Sequence, residues 1–431
     1  MLNTKRSEWV TTALIGLIIL ALVSQIQFTW ISDDLLMREW SAPAGPHSGS
    51  VISFLSEWLP NWSSRIAIGA AMFIFTNHLI WWRLLTAFAF WLVIVLPVYL
   101  VTGNSGCRRR LLPLSGLLLL SIPGVVWFDA GLVATTANYL WVLAAGLVAA
   151  VPAIMLIQQR TIGWYWYLAA IPTALYAASF EIAALILAAI YAYAVMCLIY
   201  RVRSGLPLNR FILTVLVAFL LLFIGAVVWH IVSPGNAARG MPSWSGPMFP
   251  ILFERAYSST LRQIFMSRYL IPLVFFTLIV WRNYRRYGLT LFTYLALIPI
   301  AGSLLLRDAH FPGLLGERIT GLFTGGNLLW DPTGPQLLRT NYPLNLAAVL
   351  LLTVLLAATI AAVISAFTWG GRAITVLAVL GAGFASKFIV VNTLGLALDN
   401  DFHRTDLFLL YAFIISTFIA LLPQEVPSVG Q

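Results

Sequence analysis

The feature that most constrains this chain is a series of long apolar runs that are almost free of charged residues. With 61% hydrophobic and only 9% charged residues, a soluble chain of 431 residues could not keep so much apolar surface away from water. A bilayer is therefore the expected solvent, and there only helices or closed barrels satisfy the backbone hydrogen bonds. The runs are continuous rather than alternating, so the sequence predicts an all-α polytopic membrane protein.

The apolar runs predict about twelve transmembrane helices, since each crossing needs roughly twenty apolar residues. No separate soluble domain is expected, and residues 1–431 are predicted to form a single integral membrane domain. The first run follows Lys5 and Arg6 without a small-residue cleavage site after it, which indicates an uncleaved helix rather than a removed signal. The predicted spans are 9–30, 80–102, 111–127, 138–157, 163–179, 180–200, 210–232, 269–281, 289–306, 344–366, 373–398 and 406–422.

Basic residues between the runs predict the orientation. They come in short groups, which is the pattern of topology signals and not of a nucleic-acid surface, so no nucleic acid is expected as a partner. The positive-inside rule makes their side cytoplasmic and places both termini there. Cys107 and Cys197 fall near the same side and imply no disulfide framework. The basic, tryptophan-rich chain has no eukaryotic targeting feature, which favours a bacterial inner membrane.

The opposite, outer side collects the acidic residues. All 15 of them except Glu8 and Glu425 fall there, together with arginines, a mixture that a channel or scaffold does not need. Three long segments also lie on this side, at about 31–79, 233–268 and 307–343. In the first, apolar residues broken by Ser, Glu, Trp and Arg predict amphipathic helices along the outer membrane interface.

Two adjacent carboxylates, Asp33 and Asp34 in "TWISDDLLMREW", directly follow the first predicted span. Neighbouring carboxylates repel each other, which raises the pKa of one of the pair and suits it to proton abstraction. The same oxygens could instead hold a divalent cation, or the pair could simply end the helix as solvated loop charges. The sequence alone leaves these three interpretations open.

This arrangement of a first span, an acidic pair and a long loop with interfacial helices resembles the GT-C superfamily of membrane glycosyltransferases. The stretches "ATTANYLW" and "SPGNAARG" are similar to segments of bacterial members, among them relatives of the O-antigen-modifying glucosyltransferases. The resemblance implies an inverting transfer of a sugar from a polyprenyl phosphate to a glycan or lipid acceptor on the outer, periplasmic face. It gives the role of general base to Asp33 or Asp34.

Arginines on the predicted outer side are candidates for binding the lipid phosphate of such a donor. Arg239 follows the turn predicted at Pro234 and Gly235, where a guanidinium at headgroup level could grip a phosphate through two hydrogen bonds. Lys387 lies inside a predicted span, where a lysine needs a partner or a cavity. The predicted donor phosphate-binding residues are Arg239, Arg318, Arg404 and Lys387.

Polar side chains near the span ends are candidates for binding sugar or acceptor hydroxyls. Glu181 stands beside a strongly apolar run, so it is expected to face a cavity or to pair with an arginine. The predicted sugar- and acceptor-binding residues are Asp129, Asn138, Glu181 and Asn236. No recognisable zinc spacing occurs, so no metal site is predicted, although a divalent cation at the acidic pair stays open.

Two further functions remain as alternatives. A lipid-linked oligosaccharide polymerase or ligase would also span the membrane many times, but would use an oligosaccharide on a diphosphate as donor. A transporter or flippase would be expected to show two related halves and polar, broken helices near the midplane, and neither is evident in the sequence. Membrane lipids are partners under every interpretation.

Overall fold

The computed structural model of the protein describes residues 2–47, 49–102, 105–128, 130–205, 207, 209–238, 257, 260–261, 264–265, 269–306, 342–367, 371–393 and 406–422. For residues 2–6, 105, 125, 305–306, 342–349 and 387–393 it describes the backbone alone. Within all these ranges every regular element is a helix and no strand occurs, so the all-α prediction is confirmed for them. Helices suit a bilayer because they satisfy their backbone hydrogen bonds internally.

The described part of the chain contains the following helices. They are α1 Leu2–Ser24, α2 Ser32–Ser41, α3 Val51–Asn61, α4 Ile66–Phe75, α5 Leu79–Val101, α6 Ser105–Leu120, α7 Gly124–Phe128, α8 Leu132–Thr135, a π-helix Thr136–Leu140, α9 Trp141–Ile157, α10 Trp164–Ala178, α11 Glu181–Arg203, α12 Arg210–Val232, α13 Pro234–Ala238, α14 Leu270–Tyr287, α15 Leu291–Leu306, α16 Tyr342–Phe367, α17 Gly371–Thr393 and α18 Leu407–Leu421.

Six of these helical runs are long and apolar enough to cross a membrane. They are Ser7–Ser24, Leu79–Val101, Leu132–Ile157, Glu181–Arg203, Arg210–Val232 and Leu350–Phe367. Four further apolar helices are shorter, namely Ile66–Phe75, Leu291–Leu304, Gly371–Ser386 and Leu407–Leu421. The membrane character is thus supported by length and composition, whereas the count of twelve spans and the orientation stay predictions.

The chain divides into two compact units. The N-terminal unit comprises Met1–Gly116 and Gly124–Met241, and the C-terminal unit comprises Leu117–Pro123 and Pro242–Gln431. In the N-terminal unit, α9 packs against α5, α10 and α11, while α1 packs on α5 and α12 on α11. In the C-terminal unit, α14 packs against α15, α16 and α18, and α17 packs on α18. That residues 1–431 act as a single membrane domain stays a prediction.

The first predicted outer segment folds into three short helices, α2 to α4. One side of α2 is buried through Asp34, Met37 and Ser41, and α3 buries Phe54 and Trp58. These two helices have the amphipathic pattern that the sequence predicts. In contrast, α4 is apolar throughout and buries residues on several sides, so it differs from an interfacial amphipathic helix.

Candidate functional site

The two acidic residues of α2 have different surroundings. Asp34 is fully buried, whereas Asp33 is half-buried. The Asp34 carboxylate accepts hydrogen bonds from the backbone N–H groups of Val133, at 3.0 Å, and Ala134, at 2.8 Å. These N–H groups belong to the first turn of the helical run Leu132–Ile157, where no carbonyl of the run itself can accept them. Asp34 thus caps this run from a distant part of the chain, and the helix N-terminus favours its negative charge.

Gly131 makes room for the Asp34 carboxylate. Its φ angle is +110°, a conformation that other residues rarely adopt, and a Cβ atom at this position would lie 2.5 Å from the Asp34 Cγ atom. A side chain at residue 131 and the buried carboxylate therefore exclude each other. The glycine is required by both backbone conformation and space.

Burial raises the pKa of Asp34 to about 6. The backbone N–H groups of Ala134, Val133 and Leu132 act in the opposite direction, because they stabilise the charged form, and the neighbouring Asp33 raises the pKa further. The free-energy cost of removing the charged carboxylate from water is thus larger than the stabilisation of that charge by the N–H groups.

An ion pair joins two other parts of the N-terminal unit. Arg65, which precedes α4, contacts Glu181 at the start of α11, with 3.0 Å from Nη2 to Oε2 and 3.1 Å from Nε to each carboxylate oxygen. The Arg65 Nη1 atom donates to Asn138 Oδ1 at 2.9 Å, and the guanidinium lies 4.4 Å from the ring centroid of Phe180. We call Arg65, Asn138, Phe180 and Glu181 the ion-pair cluster.

The ion-pair cluster is shielded but not closed. The side chains of Arg65 and Glu181 are 19% and 22% exposed, so part of each charged group remains reachable. Of the two surroundings expected for Glu181, a cavity or an arginine partner, the structure shows the arginine. A paired, partly reachable guanidinium and carboxylate present donors and acceptors together, which suits a neutral ligand with hydroxyl groups better than a free anion.

The π-helix Thr136–Leu140 carries Asn138 and interrupts the regular hydrogen bonding of its helical run. The carbonyl of Ala137 accepts a hydrogen bond from the Tyr176 hydroxyl at 2.9 Å, and the Trp82 indole donates to the Thr136 hydroxyl at 2.8 Å. Side chains of α10 and α5 thus hold the irregular turn in place. π-Helical turns are frequent at functional sites in proteins.

Hydrogen bonds connect Asp34 to the ion-pair cluster without interruption. Ala134 donates its N–H to Asp34 Oδ1, and its carbonyl accepts from the side-chain amide of Asn138 at 2.8 Å. Asn138 in turn accepts from Arg65, which pairs with Glu181. Asp34 of α2 and the ion-pair cluster therefore belong to one polar network within the N-terminal unit.

A second polar group consists of Ser64, which directly precedes Arg65 in the sequence, together with His230 and Asn236. We call these three residues the Ser64 cluster. The His230 Nε2 atom faces the Ala178 carbonyl at 2.9 Å and must donate to it, so in the neutral ring Nδ1 accepts from the Ser64 hydroxyl at 2.7 Å. Asn236 donates to Ser64 Oγ at 2.9 Å and to the His230 carbonyl at 2.7 Å.

The Ser64 cluster has the pairing of a nucleophile and its base but lacks access for a substrate. Ser64, His230 and Asn236 are 1%, 5% and 2% exposed. The cluster instead fixes the connection before α4 against the ends of α10 and α12. The preceding residue, Gly235, packs closely on α3 and so brings Asn236 next to Ser64. A Cβ atom at residue 235 would collide with the Leu59 carbonyl oxygen and lie 2.7 Å from the Ser63 nitrogen.

The predicted site residues have different outcomes. Asn138 and Glu181 come together through Arg65, and Asn236 lies in the adjacent Ser64 cluster. The backbone of Lys387 lies in α17, but its side chain is outside the described residues. The predicted residues that lie wholly outside the described part of the chain are Arg239, Arg318, Arg404 and Asp129.

Sequence reasoning missed Arg65, Ser64 and His230. Arg65 directly precedes the apolar helix α4 in "NWSSRIAIG", and an ionisable residue beside such a run is itself a signal of a partner. Ser64 and His230 carry no comparable signal, because Ser64 is an ordinary polar residue of the predicted outer segment 31–79 and His230 is one near the end of the predicted span 210–232. Their pairing depends on contacts across more than a hundred residues of sequence.

No metal site is evident in the part of the chain that the structure describes. There, no group of three or more His, Cys, Asp or Glu residues is placed to hold an ion. Cys107 and Cys197 are both free thiols. In comparisons with known proteins, no protein-family model, no curated protein and no solved structure matches this chain.

Proposed function

We propose that this protein is a membrane glycosyltransferase that moves a sugar from a polyprenyl-phosphate donor to a hydroxyl of a glycan or lipid acceptor. The observation that carries the proposal is the acidic pair of α2. It lies on α2, the first helix after the first candidate span. The Asp34 carboxylate is buried and belongs to the polar network that reaches the ion-pair cluster, while the Asp33 carboxylate is half-buried. The resemblance to GT-C enzymes supports the same reaction.

In the proposed reaction the acceptor oxygen attacks the anomeric carbon of the sugar from the side opposite the lipid phosphate. The bond between the anomeric carbon and the phosphate oxygen breaks, and the polyprenyl phosphate leaves with the bonding electrons. The acceptor proton passes to a carboxylate of the acidic pair, which acts as general base. A single displacement of this kind inverts the anomeric configuration.

Sugar binding is the role we propose for the ion-pair cluster. The carboxylate of Glu181 can accept from sugar hydroxyls while Arg65 donates to them, and both side chains are partly exposed. Asn138 orients the guanidinium through its own hydrogen bond. Direct sugar contacts of Asn138 and Asp129 stay predictions. The predicted contact of Asn236 also has no direct support, because its side chain is buried in the Ser64 cluster.

Binding of the donor phosphate requires a cation. On α2 the exposed guanidinium of Arg38 lies 4.4 Å from the ring centroid of Trp30, which orients it. Among the described residues it makes no hydrogen bond or ion pair, so its N–H groups are open to an anion. We propose Arg38 as a phosphate contact beside the predicted Arg239, Arg318, Arg404 and Lys387. A divalent cation at Asp33 stays an alternative.

Sugar transfer by the purified protein in lipid nanodiscs tests the proposal. Polyprenyl monophosphates and diphosphates that carry labelled sugars would be offered with a glycan acceptor, and Asp33→Asn compared with the wild type. Removing a general base typically lowers the rate about 10²- to 10⁴-fold. Glu39→Gln is the matched control, because Glu39 is an exposed acid on the same helix. Equal rates in Asp33→Asn and the wild type would exclude Asp33 as the base, and no transfer by the wild type from any of these donors would contradict the proposed function.

A transporter or flippase is the second candidate, and a specific observation favours it. Arg65, Glu181 and Asn138 form a shielded polar group among apolar helices, and Asn138 stands on an interrupted helix. Transporters use such groups to bind their cargo near the membrane midplane. Movement of a labelled lipid-linked sugar across vesicles without any acceptor, together with no sugar transfer, would favour this function over the first.

A further inference from the structure

We infer that the two carboxylates of α2 have separate roles, with Asp33 as the group that takes the acceptor proton and Asp34 as a positioning residue. The role of Asp33 rests on the proposed function. The role of Asp34 rests on geometry alone, because its carboxylate joins α2 to the start of the helical run Leu132–Ile157.

Asp34 cannot reach an acceptor hydroxyl. A general base must come within about 3 Å of the proton that it removes. The Asp34 side chain is 0% exposed, and each of its carboxylate oxygens already accepts a backbone N–H group, from Val133 or from Ala134. Its high pKa, which alone would suggest a base, is a consequence of this burial.

Asp33 has the opposite properties. It is half-buried, and within the described ranges its side chain makes no hydrogen bond or ion pair. Consecutive residues of a helix point about 100° apart, so burial of Asp34 turns Asp33 away from the buried side of α2. An open carboxylate on a helix that is held in place is what proton transfer requires.

The contact of Asp34 with Val133 and Ala134 fixes α2 and therefore determines the position of Asp33. The same Ala134 that donates to Asp34 accepts from Asn138, which accepts from Arg65. Loss of the Asp34 contact would therefore loosen α2 relative to the ion-pair cluster without removing any group of that cluster. Asp34 is thus expected to influence the rate through position and not through proton transfer.

Three variants separate the two roles. Asp33→Asn removes the proposed base. Asp34→Asn puts an amide N–H₂ against a backbone N–H, and Gly131→Ala drives a Cβ atom into the carboxylate while it keeps every charge. The readouts are kcat, KM, the acidic limb of the pH profile, and amide hydrogen exchange of Val133 and Ala134. Glu39→Gln serves as the control.

We expect Asp33→Asn to lower kcat at least about 100-fold, to abolish the acidic limb that the base produces, and to leave hydrogen exchange of Val133 and Ala134 unchanged. We expect Asp34→Asn and Gly131→Ala to speed that exchange several-fold, to retain measurable kcat, and to keep the acidic limb. If Gly131→Ala does not fold, the near-isosteric Asp34→Asn still provides the comparison.

Two results would overturn the inference. One is loss of kcat in Asp34→Asn as large as in Asp33→Asn with unchanged exchange, which would make Asp34 the base. The other is unchanged exchange in both Asp34→Asn and Gly131→Ala, which would refute the positioning contact. If the wild type transfers no sugar from any donor, the proposed function fails, while the exchange experiment still decides the role of Asp34.

Discussion

Replacing the two members of the Arg65–Glu181 ion pair, singly and together, tests whether the N-terminal unit depends on a shielded charge pair. Glu181→Met leaves a guanidinium that keeps Asn138 and the Phe180 ring but loses three contacts of 3.0 to 3.1 Å. Arginine cannot release its proton in a protein, so the stranded charge persists at every working pH. Arg65→Met strands a carboxylate, which can take up a proton instead.

The expected cost follows from burial. Removing one partner of a buried pair costs about 3–5 kcal/mol. The two side chains here are 19% and 22% exposed, so we expect a cost at the lower end, about 3 kcal/mol. Proton uptake by the unpaired carboxylate of Arg65→Met reduces the loss in free energy of unfolding by about 1.36 kcal/mol per pH unit. Lowering the pH from 7 to 5 should therefore restore up to about 2.7 kcal/mol of stability to this variant. The stability of Glu181→Met should not recover at pH 5, because the unpaired arginine keeps its charge.

The double variant measures the coupling between the two side chains. Methionine fills similar space without charge, so Arg65→Met with Glu181→Met should cost less than the sum of the single variants by about 2 kcal/mol. The free energy of unfolding would be measured by SDS-induced unfolding in mixed micelles at pH 7 and pH 5. Arg109→Met, at an exposed arginine of α6, is the control and should change stability by less than about 0.5 kcal/mol.

Two results would refute this reasoning. Strict additivity of the single variants would mean that the two side chains do not stabilise each other. An equal response of both single variants to pH would mean that the stranded carboxylate stays charged, and hence that solvent reaches it more freely than its 22% exposure indicates.

Two further predictions concern the protonation of Asp34 and the packing of α13 against α3. Because burial raises the pKa of Asp34 to about 6 from its usual 3.8, the folded protein holds this proton between those values while the unfolded chain releases it. The stability that Asp34 contributes is therefore greatest below about pH 4 and is lost as the pH rises through about 6, by about 3 kcal/mol in total. In thermal unfolding, the wild type should lose stability relative to Asp34→Asn over that pH range. A gain of stability would instead show that the N–H groups outweigh burial. Gly235→Ala should lower the free energy of unfolding by about 1–3 kcal/mol, because its Cβ atom collides with the Leu59 carbonyl. The measurement is SDS-induced unfolding. Gly225→Ala is the matched control, since nothing lies within 4 Å of a Cβ atom at that position.

The helices could be predicted from the sequence to a large extent. A run of about twenty apolar residues must satisfy its own backbone, and within the described residues every predicted span overlaps at least one helix. Boundaries were less predictable where several short helices follow one another. The predicted span 111–127 is divided between α6 and α7, and the turn predicted at Pro234 and Gly235 is the start of the short helix α13.

The polar network could be predicted only in part. The sequence singled out Asp34, Asn138 and Glu181, because polar residues beside apolar runs need a reason to be there. It could not pair them, since Asp34 binds N–H groups 99 and 100 residues away and Arg65 binds Glu181 at a separation of 116 residues. Local sequence patterns do not reveal such contacts, and a pair of backbone N–H donors has no side-chain signature at all.

The π-helix at Thr136–Leu140 makes the polar network sensitive to chain length and not only to residue type. A π-turn holds one residue more than the α-turn it replaces, and each residue of an α-helix advances by about 100°. Deleting one residue between Thr136 and Asn138 would permit a regular helix and would rotate the start of the helical run, including the N–H groups that hold Asp34, away from its present direction. A protein of this kind could thus lose its network without a single substitution, and relatives that share these residue types but differ in length here would not share the network.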